Sequence, residues 1–504
     1  MSRAGLDRRT FLRASLAGAA WAAGLGVAGC AAPGVPRPRS KGDDPLARLD
    51  GIAQAELVAR GEVSAAELIQ AAMRRSAALD PQLNAVVTEA FDRALGRVMA
   101  GVSGPFGGVP YLLKDLTDWQ GVRCTHGSRL FLDSVSERSG PLVVASEATG
   151  LVVLGKTNTP EFGLLPSTES LALGPCHNPW DAARSTGGSS GGAAAAVAAG
   201  IVPLAEASDG GGSIRIPAAC CGVFGLKPSR GRVLDSGDEP GAWDIDVHHC
   251  VSRSVRDSAL LLAHTERVAP LPQVGFVRDP VRTRLRVAVS TRTPRGEEPE
   301  PEVRDAALAA AHLCASLGHT VFEAAPALAG DTFIEHFLTL WAHGPAALVE
   351  QLGARGVDPA AVLESWTLGL AADYRAKPLG SLAAALAFFA EVEHVVDAFF
   401  EGADVWLTPV LAAVPPPLGE LAPEVPFATL RERCIRWVAY TPIHNVAGTP
   451  AMSVPLGWSA GGLPIGVQFA ARRGGEATLL ALAYELEAAA PWAERWPALA
   501  AVKG

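Results

Sequence analysis

The chain lacks three things that would send its reading elsewhere. It has no basic excess: 43 Lys and Arg stand against 52 Asp and Glu, a net charge of −9, which leaves no electrostatic footprint for nucleic acid or another polyanion. Its eight cysteines have no zinc-type spacing, and no cluster of residues along the sequence has metal-ligand spacing, so neither a metal nor another cofactor is expected. Only Cys220 and Cys221 are adjacent, and neighbouring cysteines rarely bridge each other, which makes most of the eight small buried hydrophobes. Near the start, the uncharged run Ala14 to Gly29 is too short for a membrane span, which needs about 20 residues.

What is present begins with bulk. With 504 residues, 49% of them hydrophobic and 19% charged, the chain can bury a large core, and length alone permits two or three domains. The opening Asp7-Arg-Arg-Thr-Phe-Leu-Arg13, the uncharged run and Val27-Ala-Gly-Cys30 have the three-part form of a bacterial export signal over residues 1–30. Arg8 and Arg9 resemble a twin-arginine signal, the route for proteins that fold before export. Val27-Ala-Gly-Cys30 resembles a lipoprotein box that would lipidate Cys30 and tether the protein to a membrane; a simply cleaved signal is the other reading. Residues 31–44, rich in Pro, Arg and Gly, form a flexible tether. The expected location is the periplasm or the cell envelope, and oligomeric state is not legible.

Two glycine-dense loops hold the chemistry. In Ala207-Ser-Asp-Gly-Gly-Gly-Ser-Ile-Arg-Ile-Pro217, Gly210, Gly211 and Gly212 can turn consecutive N–H groups toward one point beside the Ser213 hydroxyl. Such an arrangement, with the Ser213 N–H, is an oxyanion hole for a serine nucleophile. Pro217 suits the first turn of a helix, whose N-terminus adds positive potential there. The second loop, Ser185-Thr-Gly-Gly-Ser-Ser-Gly-Gly192, runs into the small-residue helix Ala193 to Gly200. Further back, Tyr111-Leu-Leu-Lys-Asp115 sets a lysine at the end of an apolar run.

In these three motifs and their order the chain resembles the amidase signature enzymes, and the likeness extends from about residue 45 to 490 through Gly155-Lys-Thr-Asn-Thr-Pro-Glu-Phe162, Cys221-Gly-Val-Phe-Gly-Leu-Lys-Pro228, Asn445-Val-Ala-Gly-Thr-Pro-Ala451 and Gly462-Leu-Pro-Ile-Gly-Val-Gln468. The resemblance implies one domain over 45–498, an α/β fold with a large mixed sheet covered by helices on both faces, and a substrate channel lined by the helical segment 330–400. It implies hydrolysis of a small-molecule carboxylic amide by a Ser-cisSer-Lys triad: Lys114 as base, Ser189 as the bridging serine of a cis peptide, Ser213 as nucleophile. Ser190, Asp209 and Arg215 then support the loops rather than react. An unperturbed lysine, with a pKa near 10.4, is neutral only about once in 2,500 molecules at pH 7, so the site has to lower it by roughly 3 pH units, about 4 kcal/mol. Two other classes fit the same fold. A glutamyl-tRNA amidotransferase-like subunit is disfavoured by the export signal and the acidity; an inactive binding protein is disfavoured by the intact triad.

Three look-alike motifs carry less. Gly150-Leu-Val-Val-Leu-Gly-Lys-Thr157 fits a phosphate-binding pattern, but its middle is a β-forming apolar run where a phosphate loop needs loop. Gly187-x-Ser189-x-Gly191 fits a nucleophile elbow without the apolar strand that must precede one. His177 and Asp209 are available for a Ser-His-Asp triad, although a histidine beside Asn-Pro reads as a loop residue. Among the elements, Ser64-Ala-Ala-Glu67 is a capping box that starts a helix over 65–79, stopped by Asp80-Pro81, and Asn84 to Met99 reads as a second helix.

Overall fold

The computed structural model describes residues 44–234 and 244–502. The export signal, Cys30 and all of the tether but Asp44 lie outside the described residues. Helix α1 (Ala65–Leu83) opens as its capping box requires: Glu67 N–H donates to Ser64 Oγ at 3.2 Å, and Ser64 N–H donates back to the Glu67 carboxylate at 2.8 Å. It does not stop at Pro81. A proline this near a C-terminus removes a single N–H, and the helix ends three residues later at Asn84, left-handed at φ 50°, whose N–H bonds Asp80 O at 2.7 Å. The expected second helix is also shortened. Val86–Glu89 is a strand, β1, because β-branched Val86 and Thr88 pair with a neighbouring strand, and helix begins only at Phe91.

That neighbour is β3 (Val152–Thr157), which lies between β1 and β2 (Pro110–Lys114) in a three-stranded sheet. Gly155, Lys156 and Thr157 are themselves in β3 and wholly buried, so no phosphate loop exists there. The main sheet has eight strands: β4 (Leu204–Asp209), β5 (Phe224–Lys227), β6 (Val247–Ser252), β7 (Arg286–Val289), β8 (Thr320–Glu323), β9 (Val405–Pro409), β10 (Ala451–Trp458) and β11 (Pro464–Ala470). Their spatial order is β8-β7-β9-β11-β10-β5-β6-β4. Pairing is parallel between β8 and β7 and between β7 and β9, and antiparallel elsewhere, so the sheet is mixed as expected.

Helices cover both faces, and side-chain alternation shows how. Gly466 packs against Ala219 of the helix Arg215–Cys221, with Ser453 on the same side, whereas Met452, Val454 and Val467 point the other way into a core with Ala307 and Leu482. A second core surrounds helix α2 (Gly191–Ala198), whose eight residues are all buried. Only small residues fit there: a Cβ on Gly191 would stand 2.2 Å from Thr186 Oγ1, and one on Gly192 2.4 Å from Asn158 N. This close packing brings the serine loop, edge strand β4 and the C-terminal end of β2 to one place.

Candidate active site

Lys114 closes β2 with its side chain fully buried. Its Nζ donates to Ser189 Oγ at 2.7 Å and lies 3.1 Å from Ser208 Oγ. The Gly188–Ser189 peptide is cis, and Ser213 N–H and carbonyl lie on the same loop cluster, with Ser190 N–H donating to Ser213 O at 3.3 Å. Three buried lysines compete for the role of base, and geometry separates them before acidity does. Lys156 is turned toward Asp115 at 3.6 Å and Cys124 at 3.4 Å. Lys227 is pushed down to about 7 by burial and the nearby Arg215 guanidinium, but it donates to Pro228 O and touches no serine. Among the described lysines only Lys114 reaches a hydroxyl of the glycine loops.

Burial lowers Lys114 to about 8, against the opposing pull of Asp246, Glu206 and Asp209. Those carboxylates stop the fall short of the roughly 3 pH units that neutrality at pH 7 asked of the sequence. At that value about one lysine in ten is neutral at pH 7.

The loop that carries Ser213 is held by Asp209 and Arg215. Asp209, at the end of β4, accepts from Gly212 N–H at 2.7 Å and Ile214 N–H at 3.1 Å, and both its oxygens meet the Arg215 guanidinium at 2.9 Å. Burial disfavours its ionisation, but the guanidinium beside it holds the carboxyl well below the ordinary carboxylate range. Arg215 continues to Thr441 O, Asn445 Oδ1 and Gln468 Oε1 at 2.9, 2.6 and 2.8 Å. Ser190 Oγ ties the two loops by donating to Ser208 O at 3.2 Å.

One expected oxyanion donor has to be withdrawn. The Gly212 N–H is committed to Asp209, because φ +134° at Gly212 turns that peptide inward and Thr441 Oγ1 leaves no room for a Cβ. Among the described residues the N–H groups of Gly210, Gly211 and Ser213 hold no hydrogen bond and remain available. The histidine-based triad also falls away: His177 pairs with Ala182 O at 2.7 Å in a loop, and Asp209 is spent on Arg215. Space also brings together what the sequence kept apart. Asp118, Cys124 and His126 have ligand-like proximity, but the Lys156 ammonium beside Cys124 fills the role a cation would take there.

Above Ser213 lies a cleft of about 920 Å³, counted out to its open mouth. Its walls include Leu164, Leu165, Phe337, Trp341, Ile435 and Val438. Phe333, Phe337 and Trp341 repeat at helical spacing on α3 (Gly330–Ala354) and stack with centroids 6.2 and 5.4 Å apart. Helix α3 thus supplies one wall of the cleft.

The amidase family model matches residues 67–480. The chain belongs to the amidase family. It is 41% identical over 458 residues to "Putative amidase AmiC" of Mycobacterium leprae, covering 90% of this chain and 97% of that one. It is 38% identical to the 6-aminohexanoate-cyclic-dimer hydrolase of a Pseudomonas species, over 89% and 96% of the two chains. A solved 6-aminohexanoate cyclic dimer hydrolase in complex with substrate superposes with a TM-score of 0.84 at 35% identity, over 90% of this chain and 99% of that one. As an amidase the protein is a hydrolase of carbon–nitrogen amide bonds.

Several residues of this amidase site went unread in the sequence. Asn445 and Gln468 stand in motifs quoted above, yet their function as acceptors for Arg215 needs the fold to be seen; Asn445 Nδ2 also donates to Asp209 O at 2.7 Å. Glu206 looks like an ordinary strand residue and gives no local signal. It is fully buried and accepts the Lys114 backbone N–H at 2.7 Å.

Proposed function

We propose that the enzyme cleaves amides with an apolar acyl or amine portion through an acyl-Ser213 ester, with Lys114 as base and Ser189 as proton relay. The observation that carries this reading is the 2.7 Å contact between Lys114 Nζ and Ser189 Oγ, buried beside Ser213 at the floor of an apolar cleft. Neutral Lys114 takes the Ser189 proton as Ser189 takes that of Ser213, whose Oγ attacks the carbonyl carbon. The N–H groups of Gly210, Gly211 and Ser213 receive the oxyanion. Ser189 returns the proton to the leaving amine, recovering its own from Lys114. Water deprotonated along the same route then attacks the ester, releasing carboxylate and free Ser213.

The cleft supports an apolar substrate portion because its cations are already neutralised at the rim. Arg295 meets Asp331 at 2.9 Å, and Arg431 pairs with Glu335. A charged ligand would lose water without a free partner. Aryl and alkyl amides are therefore expected to exceed glutamine in kcat/KM in a mass-spectrometric hydrolysis screen, and Phe337→Ala is expected to raise KM for aryl amides about tenfold. Faster turnover of glutamine than of every aryl and alkyl amide would refute the preference.

We also place the enzyme in the cell envelope, on the strength of Arg8-Arg9 and Val27-Ala-Gly-Cys30. Fractionation decides this: Arg8→Lys with Arg9→Lys is expected to retain the protein in the cytoplasm, and Cys30→Ala to release it from the membrane. Unchanged export or unchanged membrane association removes the corresponding half.

A further inference from the structure

A glutamate fully buried on an edge strand is costly, and an apolar side chain of similar size would fill the space without that cost. Glu206 nevertheless occupies the middle of β4, and three donors hold it. Its Oε2 accepts from the Lys114 backbone N–H at 2.7 Å and from Thr117 Oγ1 at 3.1 Å, while Oε1 lies 2.9 Å from His248 Nδ1. The far ring nitrogen of His248 lies 3.6 Å from Asp246, whose side chain is 44% exposed.

Strand periodicity explains the alignment. Residues two apart on a strand share a face, so Glu206 and Ser208 stand together on β4, while Asp246, the residue just before β6, stands two positions from His248 within it. The register pairs Ser208 with His248, which makes Glu206 the diagonal neighbour of His248. Asp246, His248 and Glu206 thus form a row beside the C-terminal end of β2, with Ser208 Oγ meeting Lys114 Nζ from the same face. One end of the row is sealed in the core. The other reaches solvent beside the nucleophile loop, where a Cβ on Gly210 would stand 3.6 Å from the Asp246 carboxylate.

We propose that this row is a positioning device for Lys114, in which the fixed charge of Glu206 and the solvent-facing charge of Asp246 set the pH at which the lysine gives up its proton. The proposal rests on Lys114 being the base. Other groups facing Lys114 leave this role open. Ser189 and Ser208 are neutral hydroxyls, and Asp209, which also pulls on Lys114, comes after Asp246 and Glu206 in that pull and shares its charge with Arg215 at 2.9 Å. Lys156 on β3 is turned to Asp115, and Tyr111 and Cys250, which sense Glu206, are pushed up by burial and stay neutral. Burial opposes the charge on Glu206, but His248 and the Lys114 N–H outweigh it and keep the carboxyl below its ordinary range. Its negative charge is present throughout the pH range in which Lys114 titrates.

The sign of the effect follows. A carboxylate stabilises the ammonium form, so removing one lets Lys114 deprotonate at lower pH. Glu206→Gln keeps the shape and the acceptor oxygen while removing the charge. The acid limb of kcat/KM, measured with an uncharged anilide so that it reports the free enzyme, is expected to move down by about one pH unit, making the rate relative to its plateau about tenfold higher on that limb. Asp246→Asn is expected to move it the same way but only about two- to threefold, because water screens a half-exposed charge. A merely structural function would lower the plateau and leave the limb where it is. An unmoved limb in both variants overturns the proposal, whatever the plateau does. If Glu206→Gln does not fold, Asp246→Asn decides alone, since its exposed side chain supports no core. Lys114→Ala separates the two levels. Loss of the plateau in that variant, its rate still climbing where the native profile is flat, with no shift in the others defeats the row only, whereas a native-like inflection and plateau persisting in Lys114→Ala defeats the assignment of the base.

Discussion

Replacing Ser213 with alanine is expected to abolish acyl-enzyme formation and to cut kcat by about 10⁴- to 10⁶-fold, the range in which loss of a serine nucleophile leaves only binding and oxyanion stabilisation. The structure gives a reason to expect so sharp a loss. Ser213 lines the cleft together with Gly211, whose N–H is unbonded among the described residues, and the neighbouring hydroxyls are engaged elsewhere: Ser190 Oγ with Ser208 O, Ser189 Oγ with Lys114. The fold should survive, because the loop is held by Asp209 and Arg215 and not by the Ser213 hydroxyl. A fluorophosphonate reagent followed by peptide mapping supplies the direct check. The label is expected on Ser213 in the native enzyme and nowhere in Ser213→Ala. Label on Ser189 or Ser190 with Ser213 untouched would overturn the assignment and revive the nucleophile-elbow reading.

The residues of this site differ in how far the sequence reveals them, and the difference is physical. Lys114, Ser189 and Ser213 sit in contiguous glycine-rich or apolar stretches whose backbone demands are local, so each motif carries its own signature. Asp209 and Arg215 lie six residues apart and their pairing is nearly local too. Glu206 is different: within Leu204–Asp209 it alternates with alanines and looks like a solvent-facing strand position. Only the packing of β2 against β4 buries it, and that contact links residues 92 apart. His248 and Asp246 are invisible for the same reason. Fold errors follow the same division. The Asn84 to Met99 stretch reads as helix from its own residues, but pairing of Val86 with Thr157 overrides local preference. The sequence overcounts the oxyanion donors by Gly212 because three consecutive glycines look equivalent until Asp209 claims one of their N–H groups.

Lys114→Ala is expected to cost nearly as much as loss of the nucleophile near neutral pH, and to change the shape of the pH profile as well as its height. On the proposed mechanism only neutral Lys114 accepts a proton, so native activity is expected to rise with pH through a value near 8 and then level off. Below that value the ammonium form dominates, and each further pH unit costs about tenfold. Without the lysine, hydroxide has to deprotonate the serines, and hydroxide does not saturate. The variant is therefore expected to climb about tenfold per pH unit beyond the point at which the native profile is flat. Ser189→Ala should fall between native enzyme and Lys114→Ala, since water can replace part of a relay but none of the base. The three losses should not add, because the groups act as one unit. A Lys114→Ala profile parallel to the native one, lower but with the same plateau, would mean that some other group takes the proton, and Lys227, pushed down to about 7, would be the first to test.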